Sequence, residues 1–234
     1  MARSYFVAGT DTEVGKTLIT GLLARFFSEK GETIVTQKWV HSGTTISLDF
    51  LPEDLLRHDQ LMLREPLIPL LKGCSEVSLR CPYRFALPAS AHLAAEAEGA
   101  VIDPGHIKQC FRLLEDRYDR VLVEGIGGLL LPYSREATLL EIVKELDLSV
   151  ILVVANRLGA INHALLTLEV LKTQGVDCVG MIWTCPAEEG DATILADNPK
   201  IVSQLTGIQS LCSLGFFSDF DSLYTSFEGR IRGL

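Results

Sequence analysis

Nine residues, Gly9-Thr10-Asp11-Thr12-Glu13-Val14-Gly15-Lys16-Thr17, combine glycines, a lysine and a hydroxyl in one short stretch. Backbone N–H groups of such a loop, followed by a helix N-terminus, converge on one point and attract an anion. A lysine at position 16 reaches the β- and γ-phosphates of a nucleotide, and the Thr17 hydroxyl ligates Mg²⁺. The flanks fit. Tyr5-Phe6-Val7-Ala8 is an apolar strand, and Leu18, Ile19, Leu22, Leu23, Phe26 and Phe27 carry a helical repeat out of the loop. Five residues rather than the common four separate Gly9 from Gly15. Two further groups belong to the same chemistry. Lys38 closes a β-rich stretch, Thr33 to Val40, and Glu124 closes the apolar run Arg120 to Val123. In a parallel sheet both strand ends lie beside the phosphate loop. A carboxylate facing a triphosphate is repelled by about 4 kcal/mol per charge pair at 4 Å and an effective dielectric near 20. An intervening divalent cation reverses the sign, so Glu124 reads as a Mg²⁺ ligand alongside Thr17. Asp59, in a helical stretch after Leu51-Pro52-Glu53-Asp54, is a second acidic candidate.

The elements that must position these groups alternate. A helix from Lys16 ends at Gly31. Ala89 to Glu98 is helical and stops at Gly99. Asp103-Pro104 starts another helix by capping and proline placement. Leu139 to Leu146 is a helix and Ser149 to Ala155 a strand. Ala160 to Gln174 is a helix and Val176 to Trp183 a strand. Pro199 to Leu205 and Ile208 to Leu214 form a weaker helix–strand pair, and Phe216 to Leu234 has no clear assignment. Breakers at Pro66, Pro69, Gly73 and Pro82 leave residues 44–84 less regular. The pattern predicts one α/β domain over 1–234, P-loop NTPase-like, with a mostly parallel central sheet and helices on both faces.

Composition narrows the function classes. Hydrophobic residues make up 47% and charged residues 22%, with a formal net charge of −9. An acidic surface argues against nucleic-acid binding. No apolar run reaches membrane-spanning length, and the N-terminus reads as a strand rather than a leader. Cys74, Cys81, Cys110, Cys178, Cys185 and Cys212 include no C-x-x-C pair, so reduced structural thiols and a cytoplasmic location are expected. The residues alone leave a hydrolase, a small-molecule kinase and an ATP-dependent ligase open.

Several segments together resemble the dethiobiotin synthetase family. They are the long loop, Lys38-Trp-Val-His-Ser-Gly43, Phe85-Ala-Leu-Pro-Ala-Ser-Ala-His92, Val121-Leu-Val-Glu-Gly-Ile-Gly-Gly128 and Leu158-Gly-Ala-Ile-Asn-His-Ala-Leu-Leu-Thr167, in the expected order. The resemblance implies ATP-dependent closure of a ureido ring on 7,8-diaminopelargonate and CO₂. Lys16 and Lys38, with Thr12, would act at the transferring phosphoryl group and the carbamate. Glu13, Val14, Gly15, Lys16, Thr17, Leu18, Asp59, Glu124, Gly125, Ile126, Gly127 and Thr184 would bind nucleotide. Thr17, Asp59 and Glu124 would hold Mg²⁺, and Thr12 and Ser42 would contact the diamine or carbamate. Gly159, Ala160, Ile161 and Asn162 would bind the substrate carboxylate from the partner subunit, which implies a homodimer acting on small molecules.

Departures from the family pattern are Trp39 in place of proline, Thr184-Cys185 in place of an adenine-reading asparagine, and Phe216-Phe217 in place of a proline-containing stretch. A threonine lacks the paired donor and acceptor of an amide, so relaxed nucleotide selectivity is expected. Lys38→Ala is expected to slow turnover with little change in stability. Two other readings share the fold. A partition-type ATPase switch carries a signature lysine where this chain has Asp11. A cobyrinate-type amidoligase normally adds an amidotransferase domain, for which 234 residues leave no room.

Overall fold

A computed structural model describes residues 4–44, 51–63, 76–185, 191–216 and 219–234, Phe220 by its backbone alone. Cys74, the breakers Pro66, Pro69 and Gly73, and Phe217 lie outside the described residues. The chain runs β1 (Tyr5–Gly9), α1 (Lys16–Glu29), β2 (Ile34–Gln37), β3 (Val40–Ser42), α2 (Glu53–Leu63), α3 (Val77–Arg80) and β4 (Tyr83–Phe85). It continues through α4 (Ala91–Ala97), α5 (Pro104–Glu115), β5 (Arg120–Glu124), α6 (Leu139–Glu145), β6 (Ser149–Ala155) and α7 (Ala160–Thr173). It ends with β7 (Cys178–Thr184), α8 (Ala192–Thr206), β8 (Ser210–Ser213) and α9 (Phe220–Arg230).

Six of the described strands form a parallel sheet in the order β2-β5-β1-β6-β7-β8. Alternation along each strand divides the core between two faces. Phe6, Ala8, Val150, Leu152 and Val154 pack with α4 to α8 on one face. Tyr5, Val7, Ile151 and Val153 pack with α1 and α9 on the other. Both faces are therefore covered, which is why β6 reads as an uninterrupted apolar run. The chain leaves β1 toward β2 on one side, whereas β6 lies on the other. The loop after β1 thus opens at the topological switch point, where α/β sheets bind ligands.

Three sequence expectations change. The strand expected over Thr33 to Val40 breaks in two. The Lys38 N–H donates to Arg80 O at 2.8 Å instead of continuing the ladder, and β3 pairs with β4 in a separate two-stranded sheet. Trp39 sits at the break, 1% exposed, its ring 5.2 Å from Phe6 and its indole N–H donating to Gln37 Oε1. Next, α8 begins seven residues before Pro199, capped by Asp191, which accepts from the N–H groups of Thr193 and Ile194. A proline inside a helix costs about 3 kcal/mol, which makes it look like a start. Finally, the tail forms α9. Phe227 meets Phe26 edge-on, the Arg25 guanidinium lies 3.5 Å over the Tyr224 ring, and the Tyr224 hydroxyl donates to Glu29. It braces the helix that follows the phosphate loop.

Candidate active site

The loop is shaped by backbone conformations that fix where Lys16 emerges. Gly15 is left-handed, with φ 94°, and Glu13 also takes a positive φ of 55°. A Cβ on Gly9 would stand 2.8–2.9 Å from Val14, Asp11 O and Lys16 Nζ, so the loop can close over β1 only with glycine there. Lys16 Nζ donates to Asp11 O at 2.8 Å, curling back over the loop it will serve.

Three strand ends meet in a cleft of about 850 Å³. Thr12, Glu13, Gly15, Lys16, Thr17, Leu18, Lys38, Ser42, Glu124, Gly125, Ile126 and Gly127, all expected site residues, line it together with Asp54, Arg57 and Pro88. Val14 is buried beneath the loop. Glu124 pairs in register with Val7 of β1, which sets its carboxylate beside the loop. Its Oε1 accepts from the Thr17 hydroxyl at 3.0 Å and from Lys38 Nζ at 2.8 Å. Lys38 also pairs with Asp54, whose second oxygen lies 3.4 Å from the Thr17 hydroxyl.

Burial alone would raise the Glu124 carboxyl, but Lys38 and His58 outweigh it and hold it at about 2. Burial opposes ionisation of Asp54 too, and the contacts with His41 and Lys38 hold it well below the usual carboxylate range. Burial would lower Lys38, yet Glu124 and Asp54 keep it above the ordinary lysine range. Lys16 goes the other way: burial pushes it down to about 8, only partly offset by Glu124.

Asp59 and Thr184 fall elsewhere than expected. The Asp59 carboxylate is held by Arg80 through two bonds of 2.7 Å, and Arg80 also bonds Thr36 O and the Thr36 hydroxyl. The Asp59 carboxylate is thus occupied by a bidentate guanidinium and is not among the residues lining the cleft. On the same helix Asp54 takes the place beside Thr17 that was expected of Asp59. Sequence reading passed over Asp54 because it looked like one of two acidic residues stabilising a helix start. Thr184 lies under the loop, 7% exposed, its hydroxyl donating to Val14 O at 2.8 Å. That proton is spent on the loop backbone. Gly159 to Asn162 open α7 outside the cleft; Ala160 is buried, and Asn162 borders a groove between α7 and α8. His163 is exposed.

The cleft's charges test whether Mg²⁺ fits. Lys16, Lys38 and Arg57 balance Glu13, Asp54 and Glu124, so a polyphosphate entering would meet no net positive charge. Thr17, Asp54 and Glu124 offer hard oxygens, the donor set that suits Mg²⁺ sharing its remaining positions with water and phosphate. Among the described residues no three of His, Cys, Asp and Glu form a group that could hold a metal ion by themselves. The described cysteines Cys81, Cys110, Cys178, Cys185 and Cys212 are free thiols.

A glycine loop between a parallel strand and a helix, with lysines and carboxylates converging on it, defines a P-loop nucleotide-dependent enzyme. Solved structures agree on the fold. A ParA family ATPase from Chlorobium tepidum superposes with a TM-score of 0.55, at 13% identity, over 97% of this chain and 91% of that one. The septum site-determining protein MinD from Pyrococcus horikoshii, complexed with Mg-ADP, gives 0.52 at 17% identity, over 99% and 87%.

Sequence relatives are more particular. A family model described as an AAA domain matches residues 3–222. The ATP-dependent dethiobiotin synthetase BioD 2 of Haemophilus ducreyi is 38% identical over 190 residues, 81% of this chain and 86% of the relative. The ATP-dependent dethiobiotin synthetase BioD of Chlorobaculum tepidum is 38% identical over 197 residues, 84% and 78%. The chain belongs to the dethiobiotin synthetase family, whose members are ATP-dependent ligases. Among the described residues no helix is long and apolar enough to cross a membrane.

Proposed function

We propose that the protein makes dethiobiotin in biotin synthesis, using ATP to close the ureido ring. One amine of 7,8-diaminopelargonate adds to CO₂ and loses a proton, giving a carbamate. A carbamate oxygen attacks the γ-phosphorus and ADP leaves. The second amine then attacks the carbonyl of the mixed anhydride, phosphate leaves with the C–O bond electrons, and the amine proton is lost to solvent. The observation that carries this reading is the convergence of Thr17, Lys38, Asp54 and Glu124 beside the phosphate loop.

Lys16 holds the β- and γ-phosphates. Lys38, released from the carboxylates, stabilises charge on the carbamate and the transferring phosphoryl group, where positioning and charge stabilisation supply most of the acceleration. Thr12 and Ser42, on the cleft wall, orient the carbamate. Mg²⁺ held by Thr17, Asp54 and Glu124 would neutralise the phosphate charge. Gly159 to Asn162 suit a carboxylate by virtue of their helix N-terminus. Since they lie outside this chain's cleft, the reading requires a homodimer in which one subunit's α7 closes the other's site.

Two observations weigh on the rival readings. Asp11 holds the place of the signature lysine of a partition-type switch, and in this fold its carbonyl accepts Lys16. The ParA and MinD likenesses, at 13% and 17% identity, speak to fold alone.

The test is product formation from 7,8-diaminopelargonate, bicarbonate and Mg²⁺ with ATP, GTP and CTP in turn, following phosphate release in parallel. Dethiobiotin is expected, with ATP and GTP turned over within about tenfold of each other because Thr184 is tied to the loop. An ATP preference above ~100-fold, the scale of a well-matched hydrogen-bonding site, would remove the relaxed selectivity. Phosphate release without dethiobiotin would favour a switch or an amidoligase.

A further inference from the structure

His58 has no part in the chemistry above, yet it is fully buried against the cleft. It lies on α2 one turn beyond Asp54, on the same stripe. The helix can bring it there because α1 has glycine at the crossing. A Cβ on Gly21 would stand 2.5 Å from Leu61 Cδ1 and 3.3 Å from His58 Cα. His58 Nε2 is 2.8 Å from Glu124 Oε2. The two oxygens of Glu124 are thus divided, Oε1 to Thr17 and Lys38, Oε2 to His58. The His58 contact is short but poorly aligned. Among the described residues neither ring nitrogen, nor Glu124 Oε2, has a hydrogen-bond partner of good geometry. Buried polar atoms are costly to leave unsatisfied, and at 2.8 Å Nε2 and Oε2 are each other's nearest candidates.

We propose that His58 is the positioning residue for Glu124. Its Nε2–H holds Oε2, so that Oε1 stays aimed at the cation site once Lys38 turns to the phosphoryl group. This rests on the Mg²⁺ reading of the cleft. The terminal torsion of a glutamate is broad and roughly two-fold. With Lys38 gone, Thr17 is the one remaining Oε1 partner among the described residues, and a carboxylate anchored at its other oxygen keeps its plane.

The experiment measures ADP binding by calorimetry across a Mg²⁺ series and in EDTA, for the parent, His58→Phe and His58→Gln, with thermal unfolding to show that each is folded. In His58→Phe the Mg²⁺ concentration that half-maximally tightens ADP binding should rise roughly 10–100-fold, the usual effect of losing an outer-shell partner. Affinity in EDTA should stay within about twofold of the parent. His58→Gln, whose amide N–H overlays Nε2–H, should recover most of the Mg²⁺ effect.

A parent-like Mg²⁺ dependence in His58→Phe overturns the proposal, as does equal weakening in both variants. If His58→Phe does not fold, ¹⁵N spectra of the parent's histidine ring decide. An Nε2–H tautomer that shifts on adding Mg²⁺ and ADP supports the assignment, and an Nδ1–H tautomer overturns it. A parent with no Mg²⁺ dependence removes the metal reading and this proposal with it, whereas a Mg²⁺-dependent parent isolates His58.

Discussion

Two helices of fourteen residues, α1 and α7, begin the same way. Each follows a parallel strand, each is preceded by a left-handed glycine, Gly15 at φ 94° and Gly159 at φ 90°, and neither has a side-chain cap. Both first turns carry the positive end of a helix dipole, which attracts anions, although in α7 the Ala160 N–H already donates to Arg157 O at 3.0 Å. Their surroundings differ. The first turn of α1 is enclosed by Lys38, Asp54 and Glu124. The first turn of α7 faces outward, with Leu158 84% exposed and Asn162 and His163 also exposed. A helix dipole at an exposed end contributes only about 0.3–1 kcal/mol. On the proposed function, one end is the phosphate site within the chain, and the other would need a second surface to become selective.

The largest effect should come from breaking the built end. Lys38→Ala is expected to reduce kcat by roughly 10²–10³, the range for loss of one preorganised donor, by steady-state assay. Sequence alone suggested little change in stability, but the structure shows a buried lysine between two carboxylates. Removing one partner of a buried pair typically costs about 3–5 kcal/mol. Urea unfolding at pH 7 should therefore show a loss on the order of 3 kcal/mol. A variant as stable as the parent would show that His58 and water suffice for Glu124.

Next in size is the contrast along α2. Asp54→Asn should weaken Mg²⁺-dependent ADP binding about tenfold or more, because a carboxylate facing the cation is lost. Asp59→Asn should leave Mg²⁺ dependence unchanged while lowering stability, since Arg80 loses its counter-charge in a buried setting. The reverse outcome would restore Asp59 as the ligand.

That contrast shows where sequence reading reaches its limit. The loop, Lys38 and Glu124 were legible because strand ends and glycines announce themselves, and parallel topology dictates where they converge. Asp54 and Asp59 sit five residues apart on one helix, and only the path of α2 across α1 decides which faces the cleft. Gly21 sets that path, and a lone glycine inside a helix pattern carries no such message. Likewise Thr184 was legible as a strand end, but not that Val14 O would consume its hydroxyl. The tail was opaque because α9 gains its stability from Phe26, Arg25 and Glu29, all supplied by a helix nearly two hundred residues earlier in the chain.

The exposed end can be sharpened by mixing subunits. Lys16→Ala and Asn162→Asp should each be nearly inactive, the second by placing a negative charge where a carboxylate binds. If α7 serves the neighbouring subunit, a one-to-one mixture that exchanges freely contains half heterodimers. Each of these has one site with both parts intact, so about a quarter of the parent's activity should return. No recovery, with exchange confirmed by mass-tagged subunits, would place α7 and the loop of one chain in the same site or leave α7 without a role.

The smallest effect tests whether the α1 end answers to phosphate alone. Burial holds Lys16 near 8, so at pH 8.5 much of it is neutral in the free protein. Phosphate stabilises the ammonium form, so ADP binding should take up a fraction of a proton per site at pH 8.5 and almost none at pH 6.5. Calorimetry in buffers of different ionisation enthalpy reads this directly. The folding contribution has the opposite sense from that of a salt-bridged lysine. The unfolded chain keeps Lys16 charged up to its ordinary 10.5, so between about 8 and 10.5 the unfolded state holds more protons and Lys16's own contribution to stability rises with pH. ADP should flatten that slope by raising Lys16 toward its ordinary value in the folded state. The uptake should disappear in Lys16→Met and persist in Asn162→Asp, because only the first helix end has a buried cation to charge.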